Sequence, residues 1–183
     1  MNRNEITAWW QERLAGLEVD VCPAVDLPDN EEGGAPVSLT VPAEGTDRDT
    51  LTAALAYTLA KFTSQTESLF WIREDGASYP FYISFDEETS AEKYRSAAAG
   101  VRADALAHAS DDEAALADAL SLSRDILLSW EALSEEASCG EWKLCFVPSD
   151  GALTLLYREG WYLAENMRRL AETVVSAAGH FFS

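Results

Sequence analysis

Two alternating segments joined by a tight turn, near the end of the chain, constrain the fold more than any other sequence feature. In the first segment Trp142, Leu144 and Phe146 alternate with Lys143, Cys145 and Val147, which is the period of a half-buried strand. Pro148-Ser149-Asp150-Gly151 then supplies turn residues, and a second strand follows over Ala152–Tyr157. The pattern predicts an antiparallel hairpin, and therefore a β-sheet in the fold.

Helical and strand periodicities alternate along the rest of the chain. Five helices are predicted. The first covers Glu5–Leu17, and the second runs from a cap at Thr46 or Asp49 to Phe62. The third runs from the capping box Thr89–Glu92 to about His108, the fourth runs from a second capping box, Ser110–Glu113, to Leu120, and the fifth covers about Tyr162–Phe182. Strands are predicted over Val37–Val41, Ser68–Ile72, Tyr79–Phe85 and Ile126–Trp130. This order predicts an α/β (α+β) fold with a single mixed sheet of about five to six strands and helices packed on it.

Four of the predicted helices carry an apolar stripe, which indicates the face that each should bury. The stripes are Ile6, Trp10, Leu14 and Leu17; Leu51, Ala54, Leu55, Leu59 and Phe62; Tyr94, Ala98, Val101 and Ala105; and Leu163, Met167, Leu170, Val174, Ala178 and Phe181. On the third of these helices, Arg95 and Arg102 are predicted to point outward.

The domain organisation is predicted to be a single unit over residues 1–183. It consists of an opening helix (1–17), a linker or crossover (18–36) and a sheet-and-helix core (37–183). Residues 18–36 contain three prolines and two adjacent glycines among acidic residues. That composition is compatible with an ordered crossover and with a loose linker.

The charge balance limits the classes of partner. The chain has 32 Asp plus Glu against 13 Lys plus Arg, a net charge of −19. Such a surface repels phosphate backbones and anionic lipid headgroups, so we expect neither a nucleic acid nor a membrane as partner. We find no secretory signal and no apolar run of spanning length, and we expect a cytoplasmic protein.

Cysteine and histidine usage predicts reduced thiols and no metal site. Cys22, Cys139 and Cys145 form no C-x-x-C pair, and an odd number cannot all pair within the chain. His108 and His180 are too far apart in sequence for ligand spacing typical of zinc. No cofactor is expected either, because Glu31-Glu32-Gly33-Gly34-Ala35 is acidic and lacks the lysine of a phosphate-binding loop.

His108 and Asp112 are the only candidate acid–base pair that is close in sequence. Their H-x-x-x-D spacing occurs in one large class of acyltransferases, where the imidazole deprotonates an attacking amine or hydroxyl. The pair stands between a helix end and a capping box, however, where both residue types have ordinary structural roles. We interpret both as structural and assign no catalytic residue.

Trp9 and Trp10 are the candidate partner interface. Adjacent helix positions lie about 100° apart, so both indoles cannot face one core. One of them should meet a second surface: the linker, another subunit or a neighbouring domain.

Several segments in order resemble the C-terminal lobe of a nonribosomal peptide synthetase condensation domain, in the chloramphenicol-acetyltransferase-like superfamily. Trp9-Trp10-Gln11-Glu12-Arg13-Leu14-Ala15-Gly16 is similar to that family's Y-W-x-x-x-L-x-G helix, and Leu27-Pro28-Asp29 to its L-P-x-D linker. The run Leu51–Gln65 resembles its L-L-A-A-F-A-x-L-L-A-R-Y-T-G-Q helix, with an apolar strand (Leu69–Ile72) next. The strand Leu155–Tyr157 and the helix bearing Arg168-Arg169-Leu170-Ala171 resemble the closing elements before an adenylation domain.

The resemblance also implies which motifs of the family are missing from this sequence. The family's catalytic H-H-x-x-x-D-G belongs to the N-terminal lobe, and His108 cannot replace it, because Ala107 precedes it and it stands on another element. Only Arg73–Ser78 remains of a longer stretch that helps to build the family's tunnel, and Pro80-Phe81-Tyr82-Ile83-Ser84 replaces the later N-x-x-P-L-R motif.

Three functional hypotheses follow. The first is a truncated, non-catalytic condensation lobe that serves as a structural or docking platform for an adjacent adenylation domain or another synthetase domain. The second is one lobe of an amide-forming condensation enzyme completed by a matching N-terminal lobe. The third is a stand-alone acidic adaptor. A phosphopantetheine-bearing carrier protein would belong to the larger synthetase.

Overall fold

The computed structural model describes residues 1–133, 142–180 and 182. The helices are α1 (Arg3–Leu14), α2 (Arg48–Phe62), α3 (Ala91–Leu106), α4 (Glu113–Leu120) and α5 (Ala164–His180). The strands are β1 (Pro36–Pro42), β2 (Glu67–Glu74), β3 (Ala77–Ser84), β4 (Ile126–Ser129), β5 (Leu144–Ser149) and β6 (Ala152–Arg158). The predicted order of elements and the predicted fold class are confirmed.

The six strands form one mixed sheet in the order β1-β6-β5-β4-β2-β3. The predicted hairpin is β5–β6, with Phe146 opposite Leu155 and Ser149 opposite Ala152. Strand β1 pairs antiparallel with β6, although more than a hundred residues separate them in the chain. Strand β4 runs parallel to both β2 and β5, and β2–β3 is a second antiparallel hairpin.

Helix α2 lies at the centre of the helical layer. It contacts α3, α5 and β2, and nearly all of its side chains from Thr50 to Ala60 are buried. Alanines at positions 53, 54, 56 and 60 allow these neighbours to approach closely from several sides. None of the helices in the described ranges is long and apolar enough to cross a bilayer.

The predicted helix caps were wrong by one to two residues. We predicted Thr46 or Asp49, Thr89 and Ser110, whereas the side chains that cap α2, α3 and α4 are those of Asp47, Ser90 and Asp112. Each segment offers several adjacent residues able to cap a helix. Packing sets the first helical residue, and thereby selects the side chain that reaches the free backbone N–H groups.

Two residues predicted to lie in the core are 40% exposed: Phe62, the last residue of α2, and Leu163, just before α5. Both stand at helix ends, beyond the part that packs against the sheet. Phe181 lies outside the described residues, and its neighbour Phe182 is buried. The other residues of the α5 stripe, Met167, Leu170, Val174 and Ala178, are buried as predicted.

The segment 18–36 has the contacts of an ordered crossover. The backbone N–H groups of Asp26 and Leu27 both donate to the Trp161 carbonyl. The Asp26 carboxylate accepts hydrogen bonds from the Leu163 N–H and from the Asn166 amide, at 2.8 Å each. The crossover is therefore attached to the start of α5.

Candidate functional site

The two tryptophans of α1 lie at a junction with the turn between α3 and α4. Trp10 is buried, and its indole N–H donates to the His108 carbonyl at 2.9 Å. Trp9 is half-buried and stacks on the His108 imidazole, with centroids 3.7 Å apart and planes 10° apart. The Arg13 guanidinium lies 3.4 Å from the Trp9 ring centroid. The structure thus brings Trp9, Trp10 and His108 together, and each indole has a partner within this chain.

His108 and Asp112 make separate structural contacts. His108 Nδ1 lies 2.7 Å from the Asp104 carbonyl oxygen, one helical turn earlier. Asp112 accepts a hydrogen bond from the Ala115 N–H at the start of α4, and forms an ion pair with Arg3 at 3.4 Å. No hydrogen bond joins His108 to Asp112 in the part of the chain that is described. The other histidine, His180, is exposed at the end of α5.

A cleft of about 200 Å³ opens beside the two tryptophans, between α1 and α3. Its walls include Leu14, Tyr82 and Val101 in addition to Trp9 and Trp10. It is mainly apolar, with Arg13 and Asp104 as its charged residues. His108 is not among the residues that line it. The cleft offers a contact surface rather than a set of reacting groups.

A buried ionic cluster, which was not predicted from the sequence, lies at the end of β2. The Glu74 side chain is fully buried, and its Oε2 accepts from Arg48 at 2.7 Å and from Arg102 at 2.5 Å. The Tyr79 hydroxyl donates to Glu74 Oε1. Arg102 also pairs with Asp49 at 2.8 Å. One carboxylate thereby joins α2, α3 and both strands of the β2–β3 hairpin.

Burial would raise the pKa of the Glu74 carboxyl, but the hydrogen bonds from Tyr79, Arg102 and Arg48 outweigh burial and hold the pKa below its usual value. Burial and the hydrogen bond to Glu74 raise the pKa of Tyr79 strongly. Glu74 is therefore ionised, with both oxygens occupied. That state suits a structural link between elements better than proton transfer to a substrate.

The prediction that Arg95 and Arg102 point outward was wrong. Arg102 joins the Glu74 cluster, and Arg95 donates to the Phe182 carbonyl at 2.9 Å. The spacing could have revealed this, because positions 95, 98, 102 and 105 share one face of α3. The alanines at 98 and 105 mark that face as buried.

A second ionic group lies on the opposite face of the sheet, since successive strand residues alternate between faces. Arg73 donates to both oxygens of Glu113 at 2.8 and 2.9 Å, and Ser78 donates to Glu113 at 2.6 Å. These bonds hold α4 to the β2–β3 hairpin, as the Glu74 cluster holds α2 and α3.

Cys22 is not an activated nucleophile. Burial raises the pKa of Cys22 to about 11, although the hydrogen bond with Tyr162 opposes this change. Cys145 is buried in β5. Cys139 lies outside the described residues. Within those residues, no group of His, Cys, Asp and Glu side chains could hold a metal ion.

No family model matches this sequence, and no curated protein matches it. Solved structures do share its fold. The starter condensation domain of rhizomide synthetase RzmA is 16% identical with a TM-score of 0.70, and the match covers 99% of this chain and 53% of that one. The X-domain of teicoplanin biosynthesis, solved in complex with OxyB, is 15% identical with a TM-score of 0.67, covering 97% and 53%.

The epimerization domain from the third module of tyrocidine synthetase B is 11% identical with a TM-score of 0.67, and the match covers 98% of this chain and 56% of that one. The chain thus spans about half the length of these neighbours. At such identities the likeness concerns the fold. This chain has the fold of one half of a condensation domain of the nonribosomal peptide synthetases.

Proposed function

We propose that these 183 residues act as a non-catalytic condensation-type lobe, which corresponds to the C-terminal lobe and serves as a docking platform for a neighbouring synthetase domain. The closing strand and helix resemble those that precede an adenylation domain, so an adenylation domain is the partner that we expect. The fold likeness supports the condensation-type assignment. The contacts of His108 support the absence of catalysis by these residues.

The proposed absence of catalysis rests on His108, because it is the only acid–base candidate with an acidic partner nearby in the sequence. Its ring stacks on Trp9, its Nδ1 contacts the Asp104 carbonyl, and its own carbonyl accepts from Trp10. A general base must reach the proton that it removes, so its ring must face a space for substrate. The imidazole instead joins α1 to the end of α3.

The cleft beside Trp9 is the proposed docking surface. It combines an apolar wall with one cation and one anion, the composition typical of a small contact site. Trp and Arg residues are enriched among those that dominate binding energy at interfaces. The net charge of −19 favours a partner whose facing surface is basic.

An amide-forming assay tests the absence of catalysis. The chain is mixed with an aminoacyl thioester on a carrier protein and with an amine acceptor, and product is measured by mass spectrometry. We expect no amide above the uncatalysed level. Amide formation that His108→Ala abolishes would overturn the proposal.

A binding assay tests the platform. The chain should bind a purified adenylation domain, and Trp9→Ala should weaken that complex about tenfold, a loss typical of a central aromatic contact. Phe62→Ala removes an exposed aromatic side chain outside the Trp9 cleft and is the control. Equal affinities for the two variants would contradict the assignment of the Trp9 cleft.

The second hypothesis, an enzyme lobe completed by a separate N-terminal lobe, is favoured by one observation: the match covers only about half of the condensation domains. Adding a separately produced lobe with the H-H-x-x-x-D-G motif to the same assay tests it. Amide formation that requires both polypeptides would support this reading over the platform.

A further inference from the structure

Four aromatic rings of the described residues line a cavity of about 330 Å³ on the helical side of the sheet, away from the Trp9 cleft. We call it the aromatic pocket; its rings are those of Tyr57, Phe85, Tyr94 and Phe182. The centroids of Tyr57 and Tyr94 are 6.5 Å apart, and those of Tyr94 and Phe182 are 5.5 Å apart. The volume is that of a site for a small ligand, and the rings offer it a rigid apolar wall.

Among the described residues, one positive and two negative side chains border the same cavity. Lys61 is exposed, and its ammonium lies 5.5 Å from the ring centroids of both Tyr57 and Phe85. In the described part of the chain no carboxylate forms a salt bridge with Lys61. Asp86 and Glu87, on the loop after β3, also line the cavity and are exposed. A bound molecule would therefore meet both signs of charge.

Tyr94 forms part of the pocket wall through its ring. The residue is 5% exposed, and its hydroxyl is enclosed, with no hydrogen-bond partner among the described residues. Burial raises the pKa of Tyr94. The hydroxyl does not face the open cavity, so Tyr94 offers a ligand its ring alone.

We propose that the aromatic pocket binds a small zwitterion with an aromatic body. The ligand's carboxylate pairs with Lys61, its ammonium with Asp86 or Glu87, and its ring packs among the four aromatic side chains. A simple anion would be repelled by the two carboxylates, and a simple amine would meet Lys61, so the charges favour a molecule that carries both.

Calorimetric titration of the full chain with three matched probes tests this assignment. Phenylalanine carries both charges, phenethylamine lacks the carboxylate, and 3-phenylpropionate lacks the ammonium. We expect phenylalanine to bind about fivefold more tightly than either half-charged probe, the gain of one exposed ion pair. Absence of saturable phenylalanine binding, or equal affinity for the three probes, would overturn the proposal.

Variants locate the site. Lys61→Met should weaken phenylalanine binding about fivefold without weakening phenethylamine binding, whereas Lys143→Met, outside the pocket, should change neither. Lys61 is exposed, so its replacement should leave the free energy of unfolding nearly unchanged, and a loss of binding cannot then be attributed to misfolding. Equal effects of the two lysine variants on phenylalanine binding would place binding elsewhere.

Discussion

The Tyr79 hydroxyl donates a hydrogen bond to the Glu74 carboxylate across the β2–β3 turn, and both side chains are fully buried. Two guanidinium groups, from Arg48 and Arg102, occupy the other oxygen of the same carboxylate. The hairpin is thus attached to α2 and α3 through one charge that water does not reach.

Replacing that charge should be strongly destabilising. Glu74→Gln leaves Arg102, which is itself largely buried, without its main counter-charge, and we expect a loss of about 3 kcal/mol in the free energy of unfolding. Urea denaturation monitored by circular dichroism measures it. Glu12→Gln, an exposed position on α1, is the control, with a change expected below about 0.5 kcal/mol. A loss below about 1 kcal/mol at Glu74 would show that the cluster contributes little.

The Glu74 carboxyl should make the free energy of unfolding depend on pH in the acidic range. The pKa of Glu74 lies below its ordinary value of 4.5 in the folded protein, so the unfolded state binds more protons between the two values. The contribution of ionised Glu74 to the free energy of unfolding is therefore complete above pH 5, and it is lost as the pH falls through the folded-state pKa. Thermal unfolding at a series of pH values checks this, and Glu74→Gln should show a flatter profile. Parallel profiles for the two proteins would be evidence against it.

The two adjacent tryptophans should contribute unequally to stability. Trp10→Ala removes a buried indole and its hydrogen bond to His108, so we expect a loss of about 3–5 kcal/mol. Trp9→Ala removes a half-buried ring held by Arg13 and His108, and should cost about 1 kcal/mol. Urea denaturation of both variants provides the measurement. Equal losses would mean that Trp9 is as much a part of the core as Trp10.

Asp112 should act as a helix cap and Asp111 as a surface residue. Asp112→Ala removes the acceptor for the Ala115 N–H and should cost about 1 kcal/mol. Asp111→Ala removes only an exposed ion pair with Arg3, so its cost should stay below about 0.5 kcal/mol. The measurement is the free energy of unfolding of each variant. A larger loss at position 111 would contradict the assigned cap.

Thiol alkylation should be slow at neutral pH. In a Cys139→Ser background, burial holds the pKa of Cys22 at about 11, so little thiolate is present. Mass spectrometry after iodoacetamide treatment at pH 7.5 should show mainly unmodified protein, with reaction rising toward pH 11. The unfolded protein in urea is the control and should react fully. Rapid labelling of the folded protein at neutral pH would refute the protected state of Cys22.

Local features could be read from the sequence because their causes lie within a few residues. The alternation around Phe146 and the turn at Gly151 were sufficient to predict β5–β6, and the stripe through Met167 and Val174 was sufficient for α5. Caps were misplaced because several neighbouring side chains can cap, and only the packed helix selects one of them. The outward assignment of Arg102 failed because a charge was assumed to face water, although its helical phase matched Ala98 and Ala105.

The sequence by itself determined the order of helices and strands, since hydrophobic period and turn chemistry act over short distances along the chain. Only the tertiary structure decided that β1 pairs with β6 and that Glu74 meets Arg48 and Arg102. Only the fold likewise brought Trp9 onto His108 and gathered four aromatic rings around one cavity. Each of these contacts joins residues that are distant in sequence, so it depends on how whole elements pack, and no local pattern encodes it.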